Sequence, residues 1–164
     1  MAPYDKVAIS PDKIKRTIGK ITGKKNNKNV VFFAGIHGNE PAGVVALERV
    51  LNFIEENEVP FNGNLWALQG NLPALRENKR YLEKDLNRIW FTRYNDANHI
   101  LKEISEAHQR DELKEYIWNI LNDSEGEVYF FDLHTTSSQS IPFVSISDTL
   151  RNRRIINDIP AAIY

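Results

Sequence analysis

The chain has 164 residues, of which 41% are hydrophobic and 26% charged, a composition typical of one globular domain with an ordinary core. Because its formal net charge is −1 and no apolar stretch is long enough to span a bilayer, we expect neither a nucleic-acid partner nor a membrane partner. The sequence has no cysteine, which excludes disulfides and favours a cytoplasmic location.

The first half of the chain predicts strands on either side of a helix. Residues 15–22 alternate loosely and predict an edge strand, whereas Val30–Ala34 is a β-branched and aromatic run typical of a strand buried on both faces. Apolar residues at helical spacing predict a helix from about Glu40 to Asn57, with Pro41 in its first turn. The run Leu65–Leu68 predicts another short strand.

The second half continues this alternation. Residues 74–93 are rich in charge and predict no regular element. From about Asp96 to Leu121 the spacing predicts a helix, with a polar gap at His108–Glu112 that favours a kink or break. Val128–Asp132 predicts a second strand buried on both faces, and residues 142–146 are β-rich. The order favours an α/β fold with a mixed, largely parallel sheet and helices on both faces.

Polar side chains follow both buried strands. His37 and Glu40 follow the first, and His134 follows the second. If the strands are parallel neighbours, these side chains meet at the carboxyl edge of the sheet. Two imidazoles and one carboxylate are the ligands of a hydrolytic zinc site, which keeps its fourth position open, whereas a structural site would usually use thiolates. The sequence therefore predicts Zn²⁺ as a cofactor in a catalytic role.

Each predicted ligand also has a purely structural explanation. His134 alone would suit a hydrogen-bonded turn, and Glu40 is favoured at a helix N-terminus by the helix dipole without any metal. That explanation does not account for Gly35 and Gly38, which bracket His37 as expected where the backbone turns tightly. The remaining histidines are predicted to be solvated surface residues: His99 and His108.

The segment Asn78–Trp90 is dense in hydrogen-bonding groups. Arg80 could polarise a scissile carbonyl and stabilise the oxyanion formed on attack. The planar fork of Arg88 suits a substrate carboxylate, and Asn87 could add a donor. A solvated charged face is the structural alternative for this segment.

Five short motifs occur in this order: Gly35-Ile-His-Gly-Asn-Glu40, Asn71-Leu-Pro-Ala74, Arg80-Tyr81, Asp85-Leu-Asn-Arg88 and Asp132-Leu-His-Thr-Thr136. Together they resemble the succinylglutamate desuccinylase and aspartoacylase family, which has the zinc carboxypeptidase-like fold. The resemblance implies a zinc-dependent amidohydrolase that acts on a small anionic N-acyl amino acid. It implies these roles: His37, Glu40 and His134 as zinc ligands, Arg80 as the carbonyl-polarising group, and Asn87 with Arg88 as the substrate carboxylate clamp.

The chain departs from the resembled family after its third predicted ligand. Family members are longer and carry a catalytic glutamate downstream of that ligand, whereas no glutamate follows His134 here. We therefore expect residues 1–164 to be one catalytic domain, the N-terminal portion of a longer zinc hydrolase, which holds metal but lacks the general base. A sheet incomplete at the C-terminus would favour self-association into a homo-oligomer.

Three alternatives stay open. The same site could remove a terminal residue from a small peptide, as a carboxypeptidase does. The chain could be a metal-binding module without catalysis. The histidines could instead be structural and bind no metal.

Overall fold

The computed structural model describes residues 8–24, 28–90, 103–136, 140–157 and 159–163. Its strands are β1 (Thr17–Thr22), β2 (Lys28–Ala34), β3 (Asn64–Gln69), β4 (Glu127–Leu133), β5 (Phe143–Val144) and β6 (Ala162–Ile163). Its α-helices are α1 (Ala42–Glu56), α2 (Leu72–Glu77), α3 (Leu86–Ile89), α4 (Ser105–Asp123) and α5 (Leu150–Ile156).

Four strands form the main sheet, in the order β1-β3-β2-β4. β2 pairs in parallel with both β3 and β4, and β1 pairs antiparallel with β3. The predicted mixed, largely parallel sheet is confirmed, and so is the edge position of its first strand. β2 and β4 are direct neighbours, so their carboxyl ends reach the same edge.

Helices cover both faces of this sheet, as predicted. On one face α1 packs its apolar side against the strands through these buried residues: Val44, Leu47 and Leu51 against Ala34, Leu65 and Ala67. On the other face α3 and α4 contribute Leu86, Ile89, Leu113 and Ile120, which pack against Val31, Phe33, Trp66 and Leu68. The apolar periodicity of α1 and the near-continuous apolar run of β2 account for these two layers.

The prediction that Val128–Asp132 is buried on both faces is wrong. These residues lie in β4, which is an edge strand of the main sheet, and Phe130 is 45% exposed. The rings of Phe130 and Phe131 stack on Phe33 and Phe32 of β2, so β4 is covered mainly from its paired side. An apolar run indicates that a strand can be buried, but it does not indicate whether the strand lies at the centre or at the edge of the sheet.

The segment predicted to be irregular contains α3 and most of α2. The Asn71 side chain accepts a hydrogen bond from the Ala74 N–H at the start of α2, and Asp85 accepts one from the Asn87 N–H at the start of α3. Asn78 ends α2 in a left-handed conformation with φ 50°. Helices of 6 and 4 residues are too short to show a repeated apolar period, which explains the error.

A kink or a break was predicted at His108–Glu112, and the break is wrong because α4 is continuous through these residues. Its polar side chains contact buried Arg16, whose guanidinium donates to Gln109 Oε1 at 2.7 Å and to Glu112 Oε2 at 2.8 Å. His108 is exposed as predicted, whereas His99 and the predicted helical residues 96–102 lie outside the described residues.

The β-rich stretch at residues 142–146 forms only β5, which pairs in parallel with β6 as a separate two-stranded sheet. No helix in the described part of the chain combines the length and the apolar character needed to cross a membrane.

Candidate metal centre

A tight turn at the carboxyl end of β2 carries His37 and Glu40. Gly35 has φ +70°, a left-handed conformation that L side chains rarely adopt. A Cβ atom at Gly38 would lie 2.1 Å from the Ala74 carbonyl carbon, so this glycine lets the turn approach the backbone of α2. The Glu40 N–H donates to the His37 carbonyl at 3.0 Å, which closes the turn. Both side chains are almost completely buried, with 5% and 7% exposure.

The parallel pairing of β2 with β4 brings His134 to the same place. Ala34 pairs with Leu133, so His134 leaves β4 level with the start of the turn. The His37 and His134 rings lie 4.9 Å apart between centroids. One ligand atom from each of His37, Glu40 and His134 lies within 4.8 Å of the others. The structure thus brings together all three residues predicted as zinc ligands.

The Glu40 carboxylate lies between the two imidazoles. Its Oε1 is 2.9 Å from His37 Nδ1, and its Oε2 is 3.1 Å from His134 Nδ1. The Thr135 N–H donates to Oε2 at 2.7 Å. One carboxylate therefore orients both imidazole Nδ1 atoms toward a common point.

Two further carboxylates contact the far sides of the imidazoles. His37 Nε2 lies 3.1 Å from Asp85 Oδ1, and His134 Nε2 lies 2.7 Å from Asp132 Oδ2. A proton on Nε2 facing the outer carboxylate would leave Nδ1 available as a ligand, which is the usual arrangement behind metal-bound histidines. Each ring is therefore placed between two acidic groups.

The ionisation of these groups follows from their contacts. Burial opposes ionisation of Glu40, but the Thr135 N–H and the two imidazoles outweigh it and lower the pKa of this carboxyl. Burial also opposes ionisation of Asp85, but hydrogen bonds from His37 and the Asn87 N–H lower its pKa. The hydrogen bond to Asp132 raises the pKa of His134 to about 8. The carboxylates around the two imidazoles carry negative charge, and this charge favours a positive charge between the rings.

The remaining predicted residues lie on the α2–α3 side of the centre. Arg80 is half-exposed, with Nη1 3.6 Å from Glu40 Oε1 and Nη2 3.5 Å from Asp85 Oδ2. Asn87 Nδ2 lies 3.3 Å from His134 Nε2. Arg88 is exposed on α3, one residue beyond Asn87. Arg80 thus contacts two carboxylates of the cluster and Asn87 contacts His134, whereas Arg88 is placed only by its exposed position on the same helix as Asn87.

Sequence reasoning assigned no role to Asp85, Asp132 or Glu106. Asp132 is two positions before His134, so alternation along a strand that extends this far would place both side chains on one face. Asp85 directly precedes a short helix and has the residue type of an N-cap. Glu106 contacts backbone N–H groups of residues 82–84, and such partners leave no pattern in the sequence.

A family model described as the succinylglutamate desuccinylase/aspartoacylase catalytic domain matches residues 26–161. A succinylglutamate desuccinylase of Serratia proteamaculans is 33% identical over 111 residues, which are 68% of this chain and 33% of that protein. One from Photorhabdus laumondii is 42% identical over 74 residues, which are 45% of this chain and 23% of that protein. The aligned part of the chain thus spans about a quarter to a third of the length of these curated relatives.

Solved structures that resemble this chain are also succinylglutamate desuccinylases. The crystal structure of a succinylglutamate desuccinylase from Chromobacterium violaceum aligns with a TM-score of 0.61 and 26% identity, covering 76% of this chain and 40% of that one. One from Vibrio parahaemolyticus aligns with a TM-score of 0.60 at 21% identity, covering 76% and 41%, and supports the fold alone. The expected zinc carboxypeptidase-like fold is confirmed.

Proposed function

Because this chain belongs to the succinylglutamate desuccinylase/aspartoacylase catalytic-domain family, we propose that His37, Glu40 and His134 hold a zinc ion used to hydrolyse the amide bond of a small N-acyl amino acid. The observation that carries the proposal is the position of both Nδ1 atoms on opposite oxygens of one buried carboxylate. The relatives are desuccinylases, which makes an anionic N-acyl amino acid the favoured class of substrate.

The donor set fits zinc in both spacing and charge. Tetrahedral zinc with bonds of about 2.0–2.2 Å places its ligand atoms about 3.3–3.6 Å apart, slightly wider than the 2.9 and 3.1 Å separations between Glu40 and the imidazoles. With Nε2–H donating to Asp85 and Asp132, each Nδ1 lone pair would face an ionised carboxylate. Only a proton or a cation between them relieves this repulsion. A divalent ion would relieve it at both rings at once.

A bound zinc ion would supply a Lewis acid that polarises the amide carbonyl and activates water for attack. Arg80 supports the same step, because its half-exposed guanidinium lies beside Glu40 and can donate hydrogen bonds to the substrate carbonyl oxygen as negative charge develops there. Asp85 contacts both Arg80 and His37, so it orients the guanidinium and the imidazole together.

We assign substrate carboxylate binding to Asn87 and Arg88. Asn87 lies at the edge of the centre beside His134, and Arg88 is exposed on the next position of α3. A guanidinium at this position can bind a carboxylate through two parallel hydrogen bonds. An anionic substrate bound there would present its amide to the metal and to Arg80.

No residue after His134 is assigned as the general base. No glutamate occurs there, and the Asp148 carboxylate forms an exposed ion pair with Arg153. A carboxylate that accepts the proton of the attacking water and passes it to the leaving amine is required for efficient turnover. We therefore expect the 164-residue chain to bind zinc but to hydrolyse N-acyl amino acids slowly.

Metal analysis of the purified chain, followed by assays on N-succinylglutamate, other N-acyl amino acids and short peptides, tests the proposal. We expect about one zinc per chain in the wild type and in the control variant His108→Gln, since His108 is exposed on α4 and is not a member of the His37, Glu40 and His134 cluster. The variant His134→Ala should lose the ion. Failure of the folded wild type to bind zinc would overturn the metal assignment. A preference for short peptides over N-acyl amino acids would favour carboxypeptidase-like hydrolysis.

A further inference from the structure

A completely buried carboxylate lies behind the metal centre, on its α4 side. Glu106 has 0% exposure, although it is charged. Its Oε1 accepts hydrogen bonds from the Leu82 N–H at 2.7 Å and from Asn71 Nδ2 at 3.1 Å. Its Oε2 accepts from the Glu83 and Lys84 N–H groups, each at 3.3 Å. Three successive backbone N–H groups thus converge on one anion.

These contacts hold a segment that carries two residues of the centre. The segment from residue 80 to 85 begins with Arg80, whose carbonyl accepts a hydrogen bond from the Gly38 N–H at 3.2 Å. It ends with Asp85, whose carboxylate lies 3.1 Å from His37 Nε2. Any movement of this segment would therefore displace the partner of one ligand and the guanidinium beside another.

A second contact joins the same segment to α4, and here the segment supplies the carboxylate and the helix supplies the N–H donor. Glu83 Oε1 accepts a hydrogen bond from the Ser105 N–H at 2.9 Å, at the first residue of the helix. The Glu106 carboxylate of the helix thus accepts from the backbone of the segment, and the Glu83 carboxylate of the segment accepts from the backbone of the helix. The helix dipole accounts for an acidic residue in the first turn of α4, but it does not require that residue to be fully buried.

We propose that Glu106 is a positioning residue for the metal centre, which acts through the 80–85 segment to set the Asp85–His37 contact and the place of Arg80. The role requires ionised carboxylate oxygens, because every contact to Glu106 comes from an N–H donor. Burial alone would oppose the charge, but the hydrogen bonds from Leu82, Asn71 and Lys84 outweigh it and lower the pKa of this carboxyl. The inference rests on the proposed metal site and adds to it a residue that touches neither metal nor substrate.

The variant Glu106→Gln in the 164-residue chain tests this role, because it keeps the shape and replaces one acceptor oxygen by a donor. We expect zinc affinity, measured by competition with a chromophoric chelator, to fall about 10-fold to 100-fold, the range found when outer partners of metal ligands are lost. The variant Asp85→Asn should cause a similar loss. If Glu106 acts through Asp85, the double variant should lose little more than either single variant.

Two controls separate positioning from general loss of stability. The variant Glu112→Gln removes a carboxylate that contacts Arg16 on the same helix, so it should lower stability and leave zinc affinity unchanged. If Glu106→Gln fails to fold, Glu83→Ala weakens the same attachment at an exposed residue and should lower zinc affinity by a smaller factor. Unchanged affinity in folded Glu106→Gln or Glu83→Ala would overturn the proposal, and so would fully additive losses in the double variant.

A readout without metal distinguishes failure of this proposal from failure of the proposed function. Amide hydrogen exchange at residues 82–84 should accelerate about 10-fold relative to the amides of α4 in the Glu106 variant, because these N–H groups lose an acceptor. If the wild type binds no zinc, the proposed function fails. The attachment is then judged by this exchange and by the ring ¹⁵N shifts of His37, which should change in Glu106→Gln as they do in Asp85→Asn. No change in either would overturn the positioning role.

Discussion

Replacing Gly38 by alanine should damage the metal centre from a position that contributes no ligand. A Cβ atom at this position would lie 2.1 Å from the Ala74 carbonyl carbon, 2.2 Å from its oxygen and 2.4 Å from the Leu75 nitrogen. All three are backbone atoms of α2, so rotation of a side chain cannot relieve the overlap. Either the turn that carries His37 and Glu40 moves, or α2 moves away from it.

The required displacement is large for a metal site. Ordinary van der Waals contact begins near 3.4 Å, so the turn and α2 must separate by more than 1 Å. Zinc bond lengths tolerate deviations of about 0.2 Å. If the turn moves, we expect zinc affinity to fall at least 10-fold, the lower end of the losses seen when the support of metal ligands is disturbed. If α2 moves instead, the cost of overpacking, about 3 kcal/mol, should be seen in the free energy of unfolding.

Chelator competition and denaturant unfolding of the same preparation measure both consequences. The matched control is Gly43→Ala, where the new Cβ would lie 3.1 Å from the Ala34 and Leu133 side chains and 3.5 Å from the nearest backbone atom. Gly43 is the second residue of α1, where alanine gains up to about 1 kcal/mol of helix propensity, which partly offsets the tight contact. A Gly38→Ala chain with wild-type stability and wild-type zinc affinity would refute the steric reasoning.

Three more predictions concern the outer carboxylate, the buried carboxylate and the core. Asp132→Asn should lower zinc affinity about 10-fold to 100-fold in chelator competition, because His134 loses the acceptor that orients its ring. Glu106→Gln should reduce the free energy of unfolding at neutral pH by about 3 kcal/mol, because buried N–H donors lose an acceptor. Since the folded-state pKa of Glu106 lies below its ordinary value of 4.5, this difference between wild type and variant should shrink as the pH falls below 4.5 in denaturant titrations. Leu113→Ala should destabilise the chain by about 3 kcal/mol in the same assay, because it leaves a cavity between α4 and the sheet.

Each of these predictions has a control in the same chain. Asp148→Asn removes an exposed carboxylate paired with Arg153 and should leave zinc affinity unchanged. Glu115→Gln, on the exposed side of α4, should leave the free energy of unfolding at neutral pH unchanged within about 0.5 kcal/mol. Leu121→Ala, at a residue 42% exposed, should cost less than about 1 kcal/mol. Equal effects in a variant and its control would contradict the corresponding explanation.

Local patterns predicted the parts of the fold in which local and long-range forces agree. The apolar run of β2 and the periodicity of α1 each indicate the correct element, because the same residues that favour the element also bury its surface. The parallel pairing of β2 with β4 could be expected from the α/β order, and it alone explains how His134 reaches Glu40 across the chain. These features depend on patterns that repeat over several residues.

The errors arose where a long-range polar contact decides the structure. The polar stretch at His108–Glu112 suggested a broken helix, but buried Arg16 needs the acceptors that Gln109 and Glu112 supply, so the helix continues. The burial and contacts of Glu106 could not be predicted for the same reason, since its partners are backbone groups brought near only by the fold. Periodicity identifies apolar surfaces, and it carries no information about which buried charges pair.

The balance of charge connects these residues to the metal. Glu40, Asp85 and Asp132 place three carboxylates around two imidazoles, and Arg80 is a half-exposed cation beside two of them. Three clustered anions with one such cation repel each other unless further positive charge is bound. The protonated His134 imidazole can supply it in the metal-free chain, whereas zinc requires Nδ1 to be deprotonated. If the proposed zinc ion is bound, the outer carboxylates would have two roles: they would keep a proton on Nε2, and their negative charge would favour a divalent cation in place of a proton on Nδ1.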